Sequence, residues 1–385
     1  MRVAVVLPEL DPRSGGGFTF QDSLAAAVEH ARGETRHDFV IYSRGDAGPG
    51  SIRMPSSRRA LASRRLVRLT REAQERALGI RPVSGRTWFE RSLEREGIEL
   101  VWFGTPPAED CRGLPFVFTV WDLEYLEQPW FPEVSADGEW ELRHVFYSRY
   151  VPRATRIIVP NDAGREQLMR HFRVGPERVL VLPHPTPEFA RRAAAQPDPG
   201  ERADIPSPYL LYPAQFWSHK NHGTVLRALA ELPEYTLVLV GSDKGYLDHV
   251  RGIARSLGVL DRVRFLGFVD TDELVRLYRG AHALMYLSFF GPENLPPLEA
   301  FALGCPVVQA DVPGAREQLG DAALRVPPTD AAAAAAAVRR FEDPALRARL
   351  TEEGRRRAEG YTADAYVRGV VDFLDEFEPV RSCWP

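Results

Sequence analysis

Lys220 is one of two lysines in a chain whose 49 basic residues are otherwise arginine; the second is Lys244. It stands in Tyr209-Leu-Leu-Tyr-Pro-Ala-Gln-Phe-Trp-Ser-His-Lys-Asn-His222, which reads as a buried strand, a polar loop and a helix starting near Asn221. An ammonium at the carboxyl end of a strand, beside a helix N-terminus, is a point charge suited to a phosphate, because the helix dipole adds to it. A solvated surface lysine is the plain alternative. In a chain that otherwise uses arginine, the phosphate reading is preferred. Lys244, in the loop Gly241-Ser-Asp-Lys-Gly245, reads either as a surface residue or as facing the same cleft.

Two further segments can carry chemistry. Ser14-Gly15-Gly16-Gly17 follows an apolar run at 2–7 and leads into a helix near Phe18. Backbone N–H groups in such a loop can approach an anion. It is not the spaced Gly-x-Gly-x-x-Gly fingerprint, so a flexible turn and a phosphate cradle are equally admissible. The segment Ser288-Phe-Phe-Gly-Pro-Glu-Asn-Leu-Pro-Pro-Leu-Glu299 ends a strand, passes through a Gly/Pro-rich loop and starts a helix near Pro297. The N–H groups of Asn294 and Leu295 are expected to point at an anion. Glu299, one turn in, suits sugar hydroxyls such as those of a ribose better than a phosphate; simple complementation of the helix dipole is its bland role.

These loops need rigid elements to position them. Apolar β-rich runs predict strands at 2–7, 38–42, 99–103, 115–120, 155–159 and 179–182, then at 209–212, 235–240, 262–266, 283–287, 306–309 and 323–326. Runs such as Thr236-Leu-Val-Leu-Val240 are apolar throughout, as strands covered on both faces should be. Strand–helix alternation in two series predicts an α/β protein with two doubly wound parallel sheets facing a central cleft, where ligands bind at the carboxyl ends of strands. The expected division is a first domain at 1–188, a linker at 189–208, a second domain at 209–362 and a closing helical segment at 363–385 that packs back on the first domain. Residues 190–208 carry four prolines and no apolar periodicity. The alanine run Ala331–Ala337 reads as a helix reaching about Phe341.

Composition excludes several classes. With 385 residues, 44% hydrophobic and 26% charged, the chain is too apolar for disorder and long enough for two or three domains. No stretch approaches the roughly 20 apolar residues of a membrane span. Cys111, Cys305 and Cys383 are too few and too scattered for a disulfide framework or a zinc site. A net charge of −4 gives no hint of nucleic-acid binding. The chain reads as cytoplasmic.

In this order, the segments resemble the retaining glycosyltransferases of family 4, whose two-domain architecture is called GT-B. The glycine loop, the Lys220-Asn221 pair, Phe265-Leu-Gly-Phe-Val269, Leu295-Pro-Pro-Leu-Glu-Ala300 and Gly304-Cys-Pro-Val-Val308 carry the likeness, which is strongest from 209 to 330. The resemblance implies transfer of a hexosyl group from a nucleoside-diphosphate sugar, GDP-mannose or a UDP-hexose, to a saccharide in polysaccharide or glycan biosynthesis, without a bound metal or other cofactor. It places Lys220 on the donor diphosphate and Glu299 on the ribose. Backbone at Phe268 and Val269 meets the base, Gly16 and Gly17 approach the diphosphate, and Gly241 lines the donor cleft. Asn221, Asn294, Leu295, Glu293 and Gln215 complete the expected donor site. Three positions depart from the family: Gly291 stands where an acid is usual, Gln215 where an arginine is usual, and Trp121-Asp122 where many members carry His-Asp. The missing His and the missing acid bear on the donor-sugar contacts and not on the nucleotide site. Asp122 can position a hydroxyl or simply cap the next turn. A nucleotide-sugar 2-epimerase on the same fold and a noncatalytic membrane-associated subunit are the competing readings.

Residues 53–76 hold a second signal. Arg53, Arg58, Arg59, Arg64, Arg65, Arg68, Arg71 and Arg76 project from a segment whose Ala62, Leu66, Leu69, Ala73 and Ala77 fall at helical spacing. Such a helix can hold anionic lipid headgroups, placing the protein at the inner face of a membrane with a lipid-linked acceptor. Equally, arginine is this chain's default surface residue.

Overall fold

The computed structural model describes residues 1–7, 15–43, 51–55, 87–106, 108–111, 113–197 and 204–384. Arg58, Arg59, Arg64, Arg65 and Arg68 lie outside these residues.

The apolar runs become thirteen strands among the described residues, in two sheets whose pairs are all parallel. The first sheet comprises β1 (Arg2–Leu7), β2 (Asp38–Ser43), β3 (Ile52–Arg53), β4 (Leu100–Phe103), β5 (Phe116–Thr119), β6 (Arg156–Val159) and β7 (Val179–Val181), in the spatial order β3-β2-β1-β4-β5-β6-β7. The second comprises β8 (Tyr209–Pro213), β9 (Thr236–Val240), β10 (Val263–Gly267), β11 (Ala283–Tyr286), β12 (Val307–Ala310) and β13 (Leu324–Val326), in the order β10-β9-β8-β11-β12-β13. Continuous apolarity is explained by burial on both faces: Leu237, Val238 and Leu239 of β9 are all fully buried. The short edge strand β3 was not foreseen, because two residues carry no periodicity.

Strand order reverses between β1 and β4 in one sheet and between β8 and β11 in the other. Loops leaving adjacent strands at such a reversal turn to opposite faces and open a crevice. The loops at these two points are those after Leu7, Phe103, Pro213 and Tyr286, so the topology brings together the three segments singled out by their chemistry.

Two stretches of chain cross between the domains. The helix Glu188–Ala194 lies within the segment read as linker, yet it buries Ala190 and Ala193 in the second core. Arg279 fastens its end by donating to the carbonyls of Ala193, Gln196 and Pro197. The helix Ala363–Arg381 returns to the first sheet and packs along the helix Gly16–Ala31. Its Tyr366, Val367, Val370, Phe373 and Leu374 share a core with Val3, Val5, Phe20, Leu24 and Val28. The alanine run forms the helix Ala331–Arg340, started by Asp330, whose side chain accepts from the Ala333 N–H.

Phe373 is 2% exposed, so truncating it leaves a cavity in the first domain's core. Phe373→Ala is expected to destabilise by about 3–5 kcal/mol, read as a lowered urea midpoint of the transition that reports the first domain; a shift below about 1 kcal/mol would show that the helix only rests on the sheet.

Candidate active site

A cavity of about 500 Å³ lies between the carboxyl ends of the two sheets. Gly15, Gly16 and Gly17 line it from one side; Gln215, Trp217, Lys220, Gly241, Phe268, Val269, Leu295 and Glu299 line it from the other. Its size fits a ligand of nucleotide dimensions.

Lys220 ends a single 3₁₀ turn, Ser218–Lys220, after β8. Its carbonyl accepts the Tyr212 hydroxyl, and its ammonium lies 5.6 Å from the centre of the Tyr286 ring. No carboxylate among the described residues pairs with that ammonium. Asn221 makes this exposure possible. It adopts a left-handed conformation at φ 55, caps the helix His222–Ala230, and donates to the carbonyls of Leu287 at 2.9 Å and Pro328 at 2.6 Å. Asn221 is buried and does not line the cavity. The pair therefore divides its work: the asparagine ties three loops together and the lysine faces the cleft. Lys244 does not line the cavity; its ammonium sits over the Trp217 ring at 5.8 Å.

Gly241 ends β9 where the chain passes against β8. An added Cβ would lie 2.2 Å from the Ala214 carbonyl oxygen, and its φ of +152 disfavours any other residue. Gly291 has φ +127, and a Cβ there would meet the Asn294 amide at 2.5 Å. The loop path itself thus excludes an acidic residue at this position. Glu293, two residues on, also lines the cavity, but its carboxyl is engaged with the first domain. Its carboxylate is buried, accepts the His184 N–H at 2.6 Å, and is pushed well above its ordinary range by burial.

The helix Leu295–Ala302 begins two residues earlier than the prolines suggest. The Asn294 N–H, expected to face an anion, instead donates to the Gln318 side chain at 3.1 Å. Pro296 and Pro297 have no N–H to offer. Anion binding at this terminus therefore narrows to the N–H of Leu295. The Leu295 side chain reaches across the cleft into the first domain's core, and a Cβ on Gly16 would lie 3.4 Å from it. Glu299 lines the cavity while buried, and accepts the Tyr278 hydroxyl at 2.6 Å.

Asp122 follows β5, lines the cavity and accepts the Glu124 N–H at 3.0 Å, so it both caps a turn and faces the cleft. Sequence reasoning missed what lies beyond it. Glu124, Glu133 and His219 converge beside Lys220, two from the first domain and one from the second. Glu133 Oε1 accepts from the His219 backbone at 2.8 Å and from its ring Nδ1 at 2.5 Å; Glu124 Oε1 stands 3.4 Å from the same nitrogen. Burial, with Asp122 nearby, raises Glu124 to about 8. Burial, with Lys220 alongside, lowers His219 to about 4. Burial also opposes ionisation of Glu133, but the His219 hydrogen bonds outweigh it and hold the carboxyl below its ordinary value. Adjacency to Lys220 was the one sequence signal for His219; its partners lie 86 and more residues away in the chain.

Two Rossmann-like domains around such a cleft define the GT-B class of fold. The glycosyltransferase from Rickettsia africae superposes with a TM-score of 0.70 at 15% identity, over 97% of this chain and 98% of that one. HepE of Anabaena, solved with UDP and glucose, superposes with a TM-score of 0.66 at 14% identity, over 98% of this chain and all of that one. Residues 199–357 match the family described as "Glycosyl transferases group 1". The D-inositol 3-phosphate glycosyltransferase of Mycobacterium sp. (strain JLS) is 31% identical over 220 residues, which are 54% of this chain and 48% of that protein. The chain thus spans about half the length of the curated relatives it matches.

Burial raises the Glu299 carboxyl from 4.5 to about 7, while the Tyr278 hydroxyl pulls it down. The folded protein therefore keeps a proton here that the unfolded chain releases first. The stability tied to this proton is complete below pH 4.5 and declines up to about pH 7. Glu299→Gln removes that decline and retains an acceptor for Tyr278. The variant's melting temperature relative to the parent should rise across this window and level off above it; a constant difference would contradict a buried, proton-linked carboxyl.

Proposed function

We propose that the protein is a retaining glycosyltransferase of the family 4 type, moving a hexosyl group from a nucleoside-diphosphate sugar to a saccharide hydroxyl. The observation that carries this reading is the unpaired Lys220 ammonium in a cavity closed by both domains. A half-buried lysine with no carboxylate partner is matched by an anion, and a diphosphate leaving group supplies one as the donor bond breaks. Glu299 takes the ribose hydroxyls, and the backbone at Phe268 and Val269 takes the base. The bond between the anomeric carbon and the phosphate oxygen breaks as the acceptor oxygen bonds to that carbon from the same face. The acceptor's proton passes to the departing phosphate oxygen. Lys220 stabilises the charge that develops there, which is worth most in a site shielded from water. UDP-glucose is the first donor to test, since HepE, of the same fold, is solved with UDP and glucose; GDP-mannose is the second.

Lys220→Ala should lower turnover by about 10²–10³-fold and abolish the thermal shift that the donor produces in the parent. Near-normal turnover in the variant would overturn the assignment.

In this reading a lipid-linked acceptor is delivered from an anionic membrane by the basic segment. No helix among the described residues is long and apolar enough to cross a membrane, so docking would rest on charge. Replacing Arg58, Arg59, Arg64, Arg65 and Arg68 by glutamine should abolish sedimentation with phosphatidylglycerol vesicles; unchanged binding rules this mode of docking out.

A further inference from the structure

The cavity is rich in carboxyl groups and poor in basic ones. Among the described residues, Lys220 is the one lysine or arginine that lines it, against the carboxyl groups of Asp22, Asp122, Glu124, Glu188, Glu293 and Glu299. Gln215, at its edge, is neutral. A diphosphate bound as proposed above would enter a space already rich in carboxyl groups, with one ammonium to receive it.

Beside that ammonium, three ligand-type atoms converge. Nδ1 of His219, a carboxylate oxygen of Glu124 and one of Glu133 all lie within 4.8 Å of one another. The Glu124 side chain is 7% exposed, and its Oε1 has no hydrogen-bond partner among the described residues although it points at His219 Nδ1 from 3.4 Å. A buried carboxyl oxygen left without a partner is costly, and a cation that displaces the carboxyl proton would satisfy it. We propose that Glu124, Glu133 and His219 form a binding site for one divalent transition-metal cation, which links the two domains beside Lys220.

The donor set argues for the class of ion. Two carboxylate oxygens and one imidazole nitrogen suit Mn²⁺ or Zn²⁺ better than the all-oxygen preference of Mg²⁺ or Ca²⁺. Zinc takes such ligands at about 2.0–2.2 Å, which needs a small opening of the present contact between His219 and Glu133. The proton on Nδ1, now shared with Glu133, moves to Nε2, so that a neutral imidazole presents Nδ1 to the metal. The His219 backbone N–H continues to hold Glu133 Oε1 and so orients that ligand. Three protein ligands leave positions open toward the cavity, where diphosphate oxygens or water complete the coordination. The charge delivered there would offset the carboxyl groups. This departs from the metal-free expectation drawn from family resemblance, and the departure follows from His219 and its two partners.

The test uses the full chain after dialysis against EDTA, titrated with MnCl₂ and separately with ZnCl₂ by isothermal calorimetry, with no nucleotide sugar present. The site therefore succeeds or fails independently of the glycosyl-transfer reading. One equivalent of at least one metal should bind, with a rise in melting temperature. Glu124→Gln and Glu133→Gln should each weaken binding by at least about tenfold, while Asp248→Asn, whose side chain is 97% exposed, should leave it unchanged. Glu124→Gln removes no hydrogen bond made by its Oε1, so it is the variant that best preserves the fold; melting without metal checks this for each protein. Absence of saturable binding by both metals, or binding that Glu124→Gln and Glu133→Gln leave intact, overturns the proposal.

Discussion

The cleft is shaped by carboxylates that reach across it to backbone N–H groups. Glu133 of the first domain takes the N–H of His219 in the second. In the reverse direction, Glu293 takes that of His184, and Glu317 takes those of Asp162 and Ala163 at the start of the helix Asp162–Phe172. A backbone donor cannot be relocated by a rotamer change, so these contacts fix where each domain's loops stand. Everything in the cavity depends on this: Lys220 faces Gly16 and Gly17, and Leu295 enters the opposite core, because the domains meet in this register. The His219 donors outweigh burial at Glu133, whereas at Glu293 burial outweighs the His184 N–H.

Much of the architecture was legible because parallel sheets leave an unambiguous trace. A strand buried on both faces is apolar at every position, and β9 shows it without interruption. That Lys220 lines the cleft was legible from composition and from its place between a strand and a helix. What remained hidden depended on distant chain. Asn221 reads as a ligand residue beside Lys220, but its partners Leu287 and Pro328 are on other loops. Asn294 reads as a free helix N-terminus, yet Gln318 captures its N–H. The cluster at Glu124, Glu133 and His219 is invisible until the domains close, since no spacing links residues that meet across a cleft.

The three departures from the family pattern have different physical characters. Gly291 is a backbone matter, since its φ leaves no room for an acid. Gln215 accepts the Trp217 indole N–H at 2.9 Å, so it belongs to a local network in which Trp217 also carries Lys244. Trp121 packs edge-on to Phe20 with centroids 6.1 Å apart and brings an aromatic wall to the cavity in place of an imidazole. All three line the same cavity as Lys220 and Glu299.

The return of the helix Ala363–Arg381 to the first sheet has a consequence for biosynthesis. Val3, Val5 and Phe20 leave the ribosome early, but the residues that cover them follow more than 340 positions later. At about 5–20 residues per second, that face stays incomplete for on the order of tens of seconds. The second domain, whose core draws on residues 190–361, can close before the first is finished. The nascent chain therefore presents an apolar, half-covered sheet until this helix has been made.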